Sequence, residues 1–521
     1  MKLIYGIKDK PRFSQLIVFA FQQLLAIMAA TLVVPVITNN NANLTGDNAM
    51  STAAALFGAG IGTLIYVLFT QAKSPVFLGS SFAFLGSMAA AFAGAVSAQL
   101  GFLGLIIGAF FAGLVYVVIA IIVKCVGVNW INKIMPAVVI GPTVAIIGLS
   151  LAGNAINDVN TVNHVSVLNT DDYQIVEKAT DDGISYTVVD KDVDISNGIP
   201  EGSEHKNITV EKSEDGSYTL TQKGSVYVSI ICALVTLAVT ILCSTFGKKV
   251  ARLIPFIIGI CSGYAVASIF YIIGSIAHIP ALMIIDYSSF NALVADGVTL
   301  NTFISLPNFT FLTAWKGISE LSGSYIASIA VAYIPVAFVV FAEHIADHKN
   351  ISTIIEKDLL TDPGLSRTLL GDGVGSMFGA FFGGCPNTTY GESIGCVAIT
   401  GNASVATIIT AAVCAMIISF LNPFIAFVNS IPSCVMGGVC IALYGFIAVS
   451  GLKMIQKVDL EDNHNLFVAS VILITGIGGM TVSFGAVTIT SIACALILGI
   501  LTNVMLSGKK GKKEASDSAE K

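Results

Sequence analysis

Two glutamates stand where acids are expensive, and an aspartate that either shares their site or begins a cytoplasmic loop follows one of them. Glu343 follows the apolar run Val336–Ala342, Asp347 comes four residues later, and Glu392 lies inside the polar, Pro-led stretch that begins at Pro386. An acidic side chain at the centre of a bilayer costs about 2.5–3.5 kcal/mol on insertion scales, so each needs a use that offsets the cost. An unbroken helix puts Glu343 and Asp347 on one face, with His344 and His348 beside them. Carboxylates accept hydrogen bonds from N–H donors, and backbone N–H groups donate to carbonyl oxygens. A cavity offering both complements a ring with alternating N–H and C=O groups, and the pattern does not choose among such rings. Carboxylates also bind and release protons at a pH set by their surroundings, which gives Glu343 and Asp347 a route to proton coupling. No HExxH, paired CxxC, nucleophile elbow or Walker loop accompanies them. The expectation is therefore a protein that is not an enzyme, with no cofactor and no metal site. The ten cysteines fall mostly in apolar runs and read as small apolar filler.

The elements that must hold these acids are membrane spans. Of 521 residues, 55% are apolar and 11% charged, and the mean hydropathy is +0.84. Soluble domains carry about 25% charged residues, so this chain cannot wet the surface of a globule its size. The net charge of −6 is concentrated, with much of the acid between Asn154 and Gly224. No basic patch with interleaved aromatics points to nucleic acid. The run 14–38 follows Lys2, Lys8, Lys10 and Arg12 and is too long for a signal-peptide core, so it reads as a retained first span.

Length and hydropathy mark about fourteen spans, near 14–38, 51–70, 75–93, 100–123, 134–153, 225–244, 253–275, 321–342, 368–384, 388–400, 403–429, 432–451, 464–481 and 485–506. With the N-terminus cytoplasmic, the inside loops hold Lys73, Lys124, Lys133, Lys248, Lys249, Arg252, Lys349, Lys357, Arg367, Lys453 and Lys457, and a basic tail. The outside loops 39–50 and 278–320 hold only Lys316. That bias predicts a multi-pass protein of the cell membrane, surrounded by lipid, with both termini cytoplasmic. The chain divides into 1–153, an acidic outside insertion at 154–224, 225–275, 321–506 and a cytoplasmic tail at 507–521. Tyr186–Val189 and Tyr218–Thr221 in the insertion suit a hairpin.

The chain also repeats itself. Gly58, Gly60 and Gly62 recur in spacing as Gly371, Gly373 and Gly375; Pro136 to Gly141 recurs as Pro432 to Gly437. Seven spans per copy is odd, so the second copy starts from the opposite side and the repeats are inverted. Each copy contains one broken polar stretch, at Pro75–Phe82 and at Pro386–Glu392. Matching breaks mark a midplane site where freed backbone groups line a cavity, and Phe82 and Gly391 sit near them.

At Pro386-Asn387-Thr388-Thr389-Tyr390-Gly391-Glu392 the sequence resembles the nucleobase–ascorbate transporter family, and within it the bacterial uracil permeases. The likeness extends through Ser80–Phe84, Ala342–Ile345, Lys357–Leu365, Pro432–Gly438 and Leu443–Gly445, and covers nearly all of the chain except 154–224. It implies an all-α polytopic membrane fold of fourteen transmembrane segments in two inverted seven-segment repeats. It also implies short strands in segments 3 and 10 and a division into core and gate domains. It further implies that Glu343 and Glu392 hold a base by its N–H edges, and that backbone N–H groups of Phe82 and Gly391 hold a carbonyl. Ala30, Tyr390 and Tyr444 would pack around the ring. The implied activity is proton-coupled uptake of uracil by alternating access, with a homodimer as the assembly. Two departures stand out: Ser393 occupies a position where the family signature usually has Asn, and Asp347 one where relatives often have His. Purine and xanthine carriers usually have Gln where this chain has Glu392, and a carboxylate there favours a pyrimidine dione. The rivals are a xanthine or purine carrier, an anion channel or exchanger of the same architecture, and a receptor that binds without transport.

Overall fold

A computed structural model describes residues 3–519 except 128, 163–164, 169, 171–172, 181–182, 197–198, 201–202, 206–207, 213–217, 249, 296 and 485–486. Lys2, named above ahead of the first span, and Lys249, counted among the inside charges, lie outside the described residues. The helices that matter are α1 (Phe13–Asn41), α2 (Thr52–Phe69), α3 (Leu85–Ala93), α4 (Ala98–Val126), α5 (Ala137–Ser150), α6 (Ala152–Asn160), α7 (Val226–Phe246) and α8 (Pro255–Ala277). They continue with α9 (Gly323–Ile355), α10 (Leu365–Gly383), α11 (Gly391–Thr400), α12 (Val405–Ile418), α13 (Ser433–Ile455), α14 (Asn463–Ile477) and α15 (Ser491–Ala519). Among the described residues, eight helices are long and apolar enough to cross a membrane, and four shorter apolar helices accompany them. The fold is thus mostly helical and polytopic.

These helices pack in two groups. In one, α10 lies against α2 and α4, α9 against α4, and α12 against α1 and α2. In the other, α13 packs on α5, α6 and α7, α8 on α7, and α14 on α5 and α15. Helix α9 touches both, reaching α5 and α15 across the boundary.

Close approach inside each group relies on the repeated glycines. A Cβ on Gly62 of α2 would stand 2.8 Å from the Gly375 carbonyl of α10, and one on Gly375 would stand 2.7 Å from that of Gly62. In the second group, a Cβ on Gly451 of α13 would lie 2.5 Å from the Gly141 carbonyl of α5. The two copies of the first glycine motif therefore meet face to face, at distances only a missing side chain allows, while in the second group Gly141 meets Gly451, further along α13 than the Pro432–Gly437 copy.

The broken stretches meet as well. Strand β1 (Leu78–Ser80) and a strand at Asn387–Thr389 pair antiparallel, with Leu78 opposite Thr389 and Ser80 opposite Asn387. Backbone groups that leave a helix inside a membrane must find partners within the protein. Here they find one another, and the Leu78 N–H donates to Thr63 Oγ1 of α2 at 2.9 Å.

Several expected boundaries move. The span expected at 321–342 runs on to Ile355, so Glu343, Asp347 and both histidines are helical rather than the start of a loop. The span expected at 403–429 breaks into α12 and a short helix at Asn422–Asn429, which carries Pro423 in its first turn. The last span begins at Ser491, after paired strands at Val482–Phe484 and Val487–Ile489. In the insertion, α6 carries the helix to Asn160 before the strands begin. Tyr186–Val189 and Tyr218–Thr221 do not pair with each other: Tyr173–Thr180 pairs with Gly183–Asp190, and Tyr218–Lys223 pairs with Val165–Leu168 and Ile208–Lys212. Their contact is through side chains, with Val188 and Leu220 forming a small separate core.

Candidate substrate-binding site

Helix α9 starts at a Ser322 cap whose hydroxyl accepts from the Tyr325 N–H, and it continues without a break through Glu343 and Asp347. The predicted shared face is real: both carboxylates line one cavity of about 340 Å³, together with Glu392. The cavity lies beside the paired breaks, and Thr388 and Thr389 form part of its wall. Thr389 donates its hydroxyl to Asp347 Oδ2 at 2.7 Å, tying the strand to α9. Glu343 has no hydrogen-bond partner among the described residues and is only half-buried, so its acceptors face the cavity. Glu392 occupies the first turn of α11, where carboxylates are favoured by the orphan N–H groups of a helix start.

The neighbouring backbone is bare by design of the sequence. A Cβ on Gly391 would meet nothing within 4 Å, so the α11 N-terminus is open to the cavity. Phe82 opens a short helical turn at Phe82–Phe84 after β1 and also lines the cavity. Tyr390 also lines the cavity, and its hydroxyl donates to the Ser80 carbonyl at 2.8 Å. Its ring lies where a Cβ on Gly79 would stand, 2.4 Å away, so only glycine permits this packing.

Two expected ring contacts fall just outside. The cavity touches Ala26 of α1, and Ala30 lies one turn further along the same face. On α13 it touches Phe446, Ile447 and Ser450, while Tyr444 stands behind Phe82, with ring centroids 5.5 Å apart at a steep angle. Both residues are buried. Ser393, a departure from the family signature, still makes supporting bonds. Its hydroxyl oxygen accepts from the Gln23 amide and from the Phe77 N–H, the latter at 3.1 Å.

The histidines turn away from the cavity. His344 Nδ1 lies 2.7 Å from Asp372 Oδ2, and Nε2 lies 3.0 Å from Thr368 Oγ1. His348 Nε2 lies 2.7 Å from the Tyr66 hydroxyl, which also lies 2.7 Å from Ser74 Oγ. The two rings stack at 3.9 Å, and His344, His348, Tyr66 and Asp372 are all fully buried. This network fastens α9 to α10 and α2. Asp372 went unnoticed in the sequence because it sits inside the Gly371–Gly375 motif, which reads as a packing signal. An acid in an apolar span was the available clue.

The family model for the Permease family (Xan_ur_permease) matches residues 14–176 and 212–484. The chain is 34% identical over 523 residues to the uracil permease of Bacillus subtilis (strain 168), covering 100% of this chain and 98% of that protein. It is 31% identical to the uracil permease of Escherichia coli (strain K12), covering 95% and 92% of the two chains. Among solved structures, the murine solute carrier 26 family member A9 anion transporter, in an inward-facing state, superposes with a TM-score of 0.55. That match has 11% identity and covers 96% of this chain and 69% of the other, so the likeness is one of fold alone. A match of this extent, with relatives aligned from end to end, carries the earlier resemblance to its conclusion: the chain is a multi-pass membrane protein that belongs to the Permease family of nucleobase–ascorbate transporters and is similar to bacterial uracil permeases.

Proposed function

We propose that the protein takes up uracil across the plasma membrane in symport with protons, by alternating access. The observation that carries this reading is the convergence of Glu343, Asp347 and Glu392 on one cavity beside the β1 break. Glu343 and Glu392 accept the two N–H groups of the base. The N–H groups of Phe82 and Gly391 donate to a carbonyl, and Tyr390 packs on the ring. Glu343 and Asp347 handle the proton. Ala30 and Tyr444 join the ring contacts when the closed end of the cavity opens toward the outside. The uracil permeases of B. subtilis and E. coli, aligned over nearly their whole lengths, support the choice of uracil.

The transport cycle rests on fourteen segments in two inverted repeats. The antiparallel meeting of the two breaks and the packing of the α2 and α10 glycine motifs against each other support that plan. The group containing α9 to α12 acts as the core and the group containing α13 to α15 as the gate. Both termini are cytoplasmic, on the side of Arg252 and Lys453, and two chains associate as a homodimer.

The test is uptake of radiolabelled uracil into proteoliposomes, with and without an inward proton gradient, challenged by unlabelled xanthine. Gradient-driven accumulation that resists xanthine is expected. Equal or stronger inhibition by xanthine would move the assignment to a purine carrier, and binding without accumulation would make the protein a receptor.

A further inference from the structure

The cavity does not end at its three acids. It continues along α9 past Asp347 to Asn350, and along α13 from Ile447 to Ser450, as far as Arg252. Glu343, Asp347 and Asn350 follow one another along one stripe of α9. Arg252 lies on the short helix Val250–Leu253; it is exposed and has no hydrogen-bond or ion-pair partner among the described residues. Phe446 and Phe256 form the adjoining wall, with ring centroids 5.9 Å apart at 77°. Phe446 is 54% exposed, so one face of its ring is uncovered.

The two ends of the cavity therefore offer opposite chemistry. The deep end is rich in acceptors and suits the N–H edge of a base. The mouth holds a guanidinium, which only donates, beside an amide and an open aromatic face. A planar diketo ring leaving the deep end meets donors for its carbonyls and a surface to stack on.

Resting on the uracil reading above, we infer that Arg252, Asn350 and Phe446 form a second nucleobase subsite at the cytoplasmic mouth, a release station that sets affinity on the inner side. The bland alternative is that Arg252 only fixes orientation as one of the inside charges. Lys248 belongs to that same charged loop and does not line the cavity, so Lys248→Ala is the matched control.

The experiment measures the half-saturating uracil concentration from each side separately, in oriented proteoliposomes. The wild type is measured first, then Arg252→Gln, Phe446→Leu and Lys248→Ala. Arg252→Gln and Phe446→Leu are each expected to raise the cytoplasmic-side value about tenfold, while the outside value moves less than about twofold. Lys248→Ala is expected to leave both unchanged. Equal changes on the two sides, no change in either variant, or the same change in Lys248→Ala overturns the subsite. Phe446→Leu keeps the apolar volume, so it decides the matter even where Arg252→Gln fails to insert. Wild-type protein that moves no uracil from either side overturns the uracil reading itself, and that outcome is separate because it precedes any substitution.

Discussion

Glu392 lies at its helix start and has no side-chain hydrogen-bond partner among the described residues, so its carboxylate remains available to an N–H donor. A hydrogen bond to a charged group is worth about 1.5–3 kcal/mol. Glu392→Gln should therefore cut uracil uptake about 10–100-fold while the protein still inserts; undiminished uptake would remove Glu392 from the site. Asp347 shares a cavity wall with Glu343 and is steadied by Thr389. If it carries the proton, wild-type uptake rises as the outside is acidified, and Asp347→Asn flattens that rise. Superimposable pH profiles would make Asp347 a binding or structural acid only. At this scale the sequence named all three cavity acids, because an acid inside an apolar run is conspicuous. It missed Asp372, and it did not show that Ala30 and Tyr444 stand off the cavity wall, because span assignment does not set how deep a cavity goes.

Among the elements, α2 and α10 show how composition becomes geometry. Their glycines bring two backbones within contact, and Asn387 uses the gap to donate to the Gly58 carbonyl at 3.0 Å. A Cβ on Gly62 would stand 2.4 Å from the Asn387 amide nitrogen. Gly62→Ala should therefore destabilise the protein by about 1–3 kcal/mol through overpacking. The check is the thermal midpoint in detergent, compared with Gly153→Ala, where a Cβ meets nothing within 4 Å. A similar midpoint for both variants would mean that the α2–α10 contact is slack. The repeated motif was legible in the sequence. That its two copies touch each other was not, since sequence order says nothing about which repeated helices become neighbours.

For the whole molecule, the cavity reaches exposed residues at the Arg252 end and is closed at the other. Asp158 of α6, buried against α13, lies close to Asn40 near the end of α1, where the two helix groups meet. Losing one polar contact costs about 0.5–1.5 kcal/mol, enough to shift a two-state balance about two- to tenfold. Asn40→Ala should raise labelling of an Ala26→Cys reporter by an outside, membrane-impermeant maleimide by about threefold, in a background lacking the native cysteines. Labelling that stays at the parent level would show that the closure does not depend on this contact.

Hydropathy, charge bias and motif order were sufficient to place this chain in the membrane, to find both breaks and to name Glu343, Asp347 and Glu392. Those features are local: the cost of a buried charge and the need to pair a broken backbone act on each segment wherever it packs. The tertiary structure decided the rest. It joined β1 to the strand at Asn387–Thr389, turned His344 and His348 toward Asp372 and Tyr66 instead of the cavity, and left Ala30 and Tyr444 off the cavity wall. These outcomes depend on which helix faces meet, and that is settled by packing between residues hundreds of positions apart.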